Sequence, residues 1–121
     1  MRKDEELANR LLDFAVRIIK LVKKLPDNKI GIHVSGQLLR CGSSPGANYE
    51  EARGAESKAD FIHKLGIVLK ELKESRFWIK IIIRVPLLQP DNVAPLLDEC
   101  EALVAIIAKS IFTARKSKET H

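Results

Sequence analysis

Leu7, Leu11, Phe14, Ile18, Leu21 and Leu25 recur at alternating steps of four and three. That spacing places all six on one side of an α-helix and on no single face of a strand. Such a seam is stable only when a second helix covers it, so the chain is committed to helix–helix packing. Asp4, Glu5 and Glu6 stand at the start, where the helix dipole favours negative charge, and Lys23 and Lys24 stand at the end, where it favours positive charge. Pro26 stops the helix, which is expected over about 4–25.

Three further helices follow. Asp27 or Asn28 can cap the second, over about 28–53, which carries Ile30, Val34, Leu38 and Cys41 and then Ala47 and Ala52. Its middle reads Cys-Gly-Ser-Ser-Pro-Gly. Pro45 removes a backbone donor, and Gly42 and Gly46 weaken a helix. Taken locally, the segment fits either a break or a kinked continuous helix. Gly54 can close this helix, and Ser57-Lys58-Ala59-Asp60 has capping-box spacing with Asp in place of Glu. Phe61, Leu65, Val68, Leu72 and Ile79 then mark a third helix over about 57–84, ahead of Pro86. The fourth, about 91–115, is carried by Leu96, Cys100, Leu103, Val104, Ile107 and Ile111, with Pro95 blurring its start. Residues 116–121 are polar and expected to fray.

No segment alternates with a strand's period. One domain spanning 1–121 is expected, all-α, an up-down-up-down antiparallel four-helix bundle. The 45% apolar content excludes a disordered chain. The N-terminus has no apolar run behind its basic residues and so is not a secretory signal. The most apolar stretch, Phe77 to Leu88, is interrupted and too short to span a bilayer. A cytoplasmic protein without membrane association is therefore expected. Cys41 and Cys100 lack Cys-x-x-Cys spacing and read as small buried thiols.

Two helices carry more apolar surface than a single core uses. Leu12, Val16 and Ile19 flank the seam of the first helix. The end of the third, Phe77 to Val85, is apolar nearly all round. This surplus predicts self-association, with Trp78, Ile81, Ile82 and Val85 as the candidate oligomer interface. The alternative is that the loop around Pro86–Leu88 folds back over it.

The net charge is +5. Lys3, Arg10, Arg17 and Lys24 lie seven apart and line one helix face, since the drift per heptad is only about 20°. Lys73, Lys80 and Arg84 form a looser second row beside Lys70 and Arg76. Such rows can track a phosphate backbone, or simply solvate a bundle. No aromatic alternates with them in a stacking pattern. On the second helix Arg40, Ser44, Asn48 and Glu51 share a polar face, if that helix is continuous. Ser44 and Asn48 can then bond backbone groups freed by Pro45, while Arg40 can pair with Glu51 or with an acid on a neighbouring helix, such as Asp60. His33, His63 and His121 are too scattered for a metal site. No phosphate loop or nucleophile–base pair stands out, and a bundle this small leaves little room for a pocket. Neither enzyme activity, cofactor, metal nor small-molecule substrate is expected.

From Gln37 to Trp78 the chain resembles a known family. The residues that carry the likeness are Gln37-Leu38-Leu39-Arg40, Ser44-Pro45 with Asn48, Glu51, the run Glu56 to Leu65, Leu69-Lys70-Glu71 and Arg76-Phe77-Trp78. The family comprises bacterial four-helix bundles named after open reading frames within intervening sequences of 23S ribosomal RNA. The resemblance implies that the second helix runs through Pro45, kinked but continuous. Glu50-Glu51-Ala52 departs from the Ala-Glu-Gly step of many members. Most members have no established activity. Relatives that accompany diversity-generating retroelements form basic pentameric rings that bind nucleic acid and a reverse transcriptase. By analogy the resemblance implies a homopentamer acting as an accessory that binds RNA or a nucleoprotein. A protein–protein scaffold without nucleic acid is the alternative.

Overall fold

Asn28 and Ser57 adopt extended backbone and accept hydrogen bonds from the amides of Gly31 (2.9 Å) and Asp60 (3.0 Å). These two side chains set the starts of the second and third helices by supplying acceptors to amides that have no partner in the first turn. In the computed structural model, which describes residues 2–117, four helices result: α1 (Lys3–Val22), α2 (Lys29–Arg53), α3 (Lys58–Arg84) and α4 (Pro90–Lys116). Among the described residues there is no strand.

α1 stops one turn short of the expected limit. The amides of Lys24 and Leu25 turn back to the carbonyls of Leu21 and Val22, which tightens the chain ahead of Pro26. Leu25 nevertheless stays buried, so the seam outlasts the helix that carries it. α2 runs unbroken through Pro45. Pro45 is itself buried against the neighbouring helices, and that packing outweighs the hydrogen bond it deletes.

α1 packs on α2, α2 on α3 and α3 on α4, an antiparallel bundle in chain order. Each helix contributes one stripe to a continuous core, with Phe14, Leu38, Leu72 and Ile107 among its fully covered members. The fourth side is different: α4 touches α1 only lightly. α1 and α2 approach closely. A methyl group on Gly42 would lie 2.8 Å from Ile18, and one on Gly31 would lie 1.9 Å from the Pro26 carbonyl oxygen.

Ile82 belongs to this core, with no exposed surface at all. It was an expected interface residue, and that expectation is corrected. The apolar run at the end of α3 is partly spent inside the single chain. Ile79 and Ile82 point inward, and Leu87 and Leu88 of the following loop also pack on the core.

Candidate nucleic-acid interface

The four members of the first basic row all line the open side between α1 and α4. Lys3 and Arg10 border a cleft with Ile106 and Ser110, while Arg17 and Lys24 border another with Asn92 and Leu96. The side chains are not equivalent. Arg10 grips Glu99 of α4 with two parallel bonds, Nη2 to Oε1 at 2.7 Å and Nε to Oε2 at 3.1 Å. These bonds to Glu99 hold its proton more firmly than in a free guanidinium. Lys3, Arg17 and Lys24 have no carboxylate within ion-pair distance among the described residues.

The second row lies on the other flank of α4. Arg76 reaches Glu101 of α4 at 3.5 Å. Lys73, Lys80 and Arg84 stand three, four and eight residues from Arg76, on the same side of α3. All three are exposed and, among the described residues, unpaired. α1 and α3 run parallel, so Lys24 and Arg84 reach the same end of the bundle, where Lys23 and Lys29 also stand against Asp27 and Asp91. The two rows therefore flank α4 and converge at one basic end.

The polar face of α2 is used internally, against α3. Arg40 pairs with Glu74 and, at 3.3 Å, with Glu71. The expected acid on a neighbouring helix is thus Glu74 with Glu71, in place of the named Asp60, while Glu51, the other expected partner, instead meets Lys64 at 3.1 Å. Asn48 donates to the Ser44 carbonyl at 3.0 Å. Ser44 does not relieve the backbone around Pro45, because its buried hydroxyl has no partner among the described residues. Trp78 lies half-buried at the end of this seam. Its indole N–H donates to Glu74 at 3.3 Å, and its ring meets His33 and Phe77 edge-on at 5.7 and 5.2 Å.

Apolar surface remains exposed on all four helices, including Ile30 and Ile32 of α2 and Phe112 of α4. Leu12, Val16 and Ile19 of α1 lie exposed, as does Leu39 of α2. Phe77 and Val85 of α3 are each 56% exposed and border a shallow cleft with Ile81, Lys80 and Arg84. Of the expected interface residues, Val85 is open, Trp78 and Ile81 are half-covered, and Ile82 is absent from the surface.

Both thiols are buried, and burial pushes each above its ordinary value, Cys100 to about 12. Among the described residues no group of three or more His, Cys, Asp and Glu side chains could hold a metal ion, and no helix is long and apolar enough to cross a membrane. The expected lack of room for a pocket is corrected. The thin contact between α1 and α4 leaves a cleft of about 940 Å³ at the end opposite the basic one.

Four helices packed in chain order, with basic side chains along both flanks of α4, define an all-α bundle protein. Within that class the chain belongs to the 23S rRNA-intervening sequence protein family, whose model matches residues 3–109. A crystal structure of a protein of unknown function from the S23 ribosomal protein family of Bacteroides thetaiotaomicron is similar throughout. It is 35% identical, covers 91% of this chain and 98% of its own, and superposes with a TM-score of 0.83. No functionally curated protein matches the sequence.

Proposed function

We propose that this protein is a non-enzymatic, cytoplasmic accessory that assembles with copies of itself, as a pentamer by analogy with the retroelement-associated relatives, and binds RNA or a nucleoprotein. The observation that carries the reading is the pair of basic rows on either side of α4. Arg17, Lys24, Lys73, Lys80 and Arg84 are all without a carboxylate partner among the described residues. A chain gains nothing in stability by aligning unneutralised cations, whereas a phosphate backbone gains by displacing its counterions onto them. Assembly is supported by the exposed apolar side chains, among them those of α1 and of the end of α3. The face at Leu12 and Val16 of α1 meeting the one at Phe77 and Val85 of the next copy would be a head-to-tail contact, the kind from which rings are built when the rotation between copies closes.

Native mass spectrometry at low salt without nuclease tests both parts. The expected result is a mass of several subunits with additional mass that ribonuclease removes. Engagement of the five cations predicts that log affinity falls with log salt at a slope of about −3.5 to −4.5. A protein that carries no nucleic acid, and whose RNA affinity does not change with salt, refutes the nucleic-acid part. A monomer refutes the ring. The exposed apolar faces favour one second reading, a scaffold for a protein partner, whose recovery would survive nuclease and high salt.

A further inference from the structure

The large cleft lies away from the basic end, between the start of α1 and the end of α4, and the basic-row reading makes little use of it. Its inner wall is apolar, formed by Tyr49, Ala52, Phe61 and Ile106. Its rim is cationic: Lys3, Arg53, Lys58 and Lys109 stand there against a single carboxylate, Asp4. Arg53 is taken up by Asp4 at 3.0 Å and by Glu50 at 2.7 Å, and Lys58 donates to the carbonyl of Ser117. Lys3 and Lys109 have no partner among the described residues.

Tyr49 is the decisive residue. It is only 5% exposed, yet its hydroxyl bonds to no described residue. Nor is that oxygen sealed off, since Ser44 alone has a buried side-chain polar atom without a partner among the described residues. The ring is covered while the hydroxyl meets solvent, so a ligand in the cleft can take the place of water on it. Here the residue lines both the large cleft and the adjoining one beside Arg10, so its free donor opens onto the gap that α1 and α4 leave.

We infer that this cleft is a binding site for a small aromatic anion. The ring of the ligand lies against Tyr49, Phe61 and Ile106, its phosphate or carboxylate reaches Lys3 and Lys109, and the Tyr49 hydroxyl donates to it. The volume, about 940 Å³, is at the upper end of the range for small-molecule sites, and the apolar wall with a few convergent polar groups has their usual composition. Charge selects the ligand, because Arg53 is taken up by Asp4 and Glu50 while Lys3, Lys58 and Lys109 have no carboxylate partner among the described residues. The inference does not depend on RNA binding, and a chain that binds no RNA leaves it intact.

The probe is 1-naphthyl phosphate, compared with 1-naphthol, which has the ring without the charge, and with inorganic phosphate, which has the charge without the ring. Binding is followed by two-dimensional NMR on the intact chain. The expected result is saturable binding of naphthyl phosphate, at least tenfold tighter than either control. Shifts should be centred on Tyr49, Phe61, Ile106 and Thr113. The double variant K3E/K109E should weaken naphthyl phosphate at least tenfold and leave naphthol unchanged. Both lysines are exposed, so the variant keeps its fold. Tyr49→Phe should weaken naphthyl phosphate three- to tenfold. Equal affinity for naphthol and naphthyl phosphate, indifference to the double variant, or shifts centred on Phe77 and Ile81 would each overturn the assignment.

Discussion

Four glycines lie within α2, and by helix propensity each costs the same, roughly 1 kcal/mol relative to alanine. Replacing any of them with alanine should then stabilise the protein equally. The packing predicts otherwise. At Gly36 an added methyl meets nothing within 4 Å, so Gly36→Ala should gain about 0.5–1 kcal/mol. At Gly46 it meets the backbone of Leu11 at 3.5 Å, an ordinary contact, and the gain should persist. At Gly42 it lies 2.8 and 2.9 Å from Cγ1 and Cγ2 of Ile18. Those carbons must retreat by roughly 0.6 Å, and a β-branched side chain has no free rotamer to do so. Ile18 is fully enclosed, so an overpacking cost of about 1–3 kcal/mol outweighs the propensity gain, and Gly42→Ala should be destabilising by about 1–2 kcal/mol. At Gly31 the methyl would stand 1.9 Å from the Pro26 carbonyl oxygen, and only displacement of the turn relieves it. Gly31→Ala should cost about 3 kcal/mol or more. Thermal denaturation resolves the series, since about 1 kcal/mol moves the midpoint by about 4 °C in a domain of this size. A double-mutant cycle isolates the cause: in an Ile18→Ala background the extra methyl of Gly42→Ala fills part of a cavity and should become neutral or favourable. Four equal shifts, or a Gly42→Ala penalty that persists without Ile18, would show that these glycines are not placed by the approach of α1.

Four further outcomes separate packing from surface chemistry. Ile82→Asp should lose at least about 5 kcal/mol by urea denaturation, because it empties a core position and buries an unpaired carboxylate. Val85→Asp should change stability by no more than about 0.5 kcal/mol while lowering the oligomeric mass by native mass spectrometry. Arg17→Glu should weaken RNA binding more than Arg10→Glu does, measured by fluorescence anisotropy at fixed salt, because Glu99 already neutralises Arg10; equal losses would contradict that ordering. The Cys100 thiol, raised from about 9.0 to about 12, keeps its proton in the folded state where the unfolded chain would lose it. Stability from this group is thus fully present below pH 9 and declines by up to about 1.4 kcal/mol per pH unit between about 9 and 12. Denaturation midpoints of Cys100→Ala should lack that component of the alkaline slope.

What was legible in the sequence is what repeats locally. The four-and-three spacing from Leu7 to Leu25, the caps at Asn28 and Ser57 and the stripe from Leu96 to Ile111 each depend on residues within a few turns, and the bundle they predict is the one observed. The seven-residue spacing of Lys3, Arg10, Arg17 and Lys24 likewise places them on one flank. Three things depended on what another helix brings to the same place. Arg10 and Arg17 look alike in the chain and differ because Glu99, 89 residues away from Arg10, stands opposite only one of them. Ile82 and Val85 belong to one apolar run, and only the position of the core makes one interior and the other surface. Tyr49 carries no local signal, since only the folded chain covers its ring and leaves its hydroxyl at the edge of the cleft. Helical periodicity is a property of the backbone and can be read along one strand of sequence. Burial, pairing and open space are properties of the distance between helices, and these only the folded chain decides.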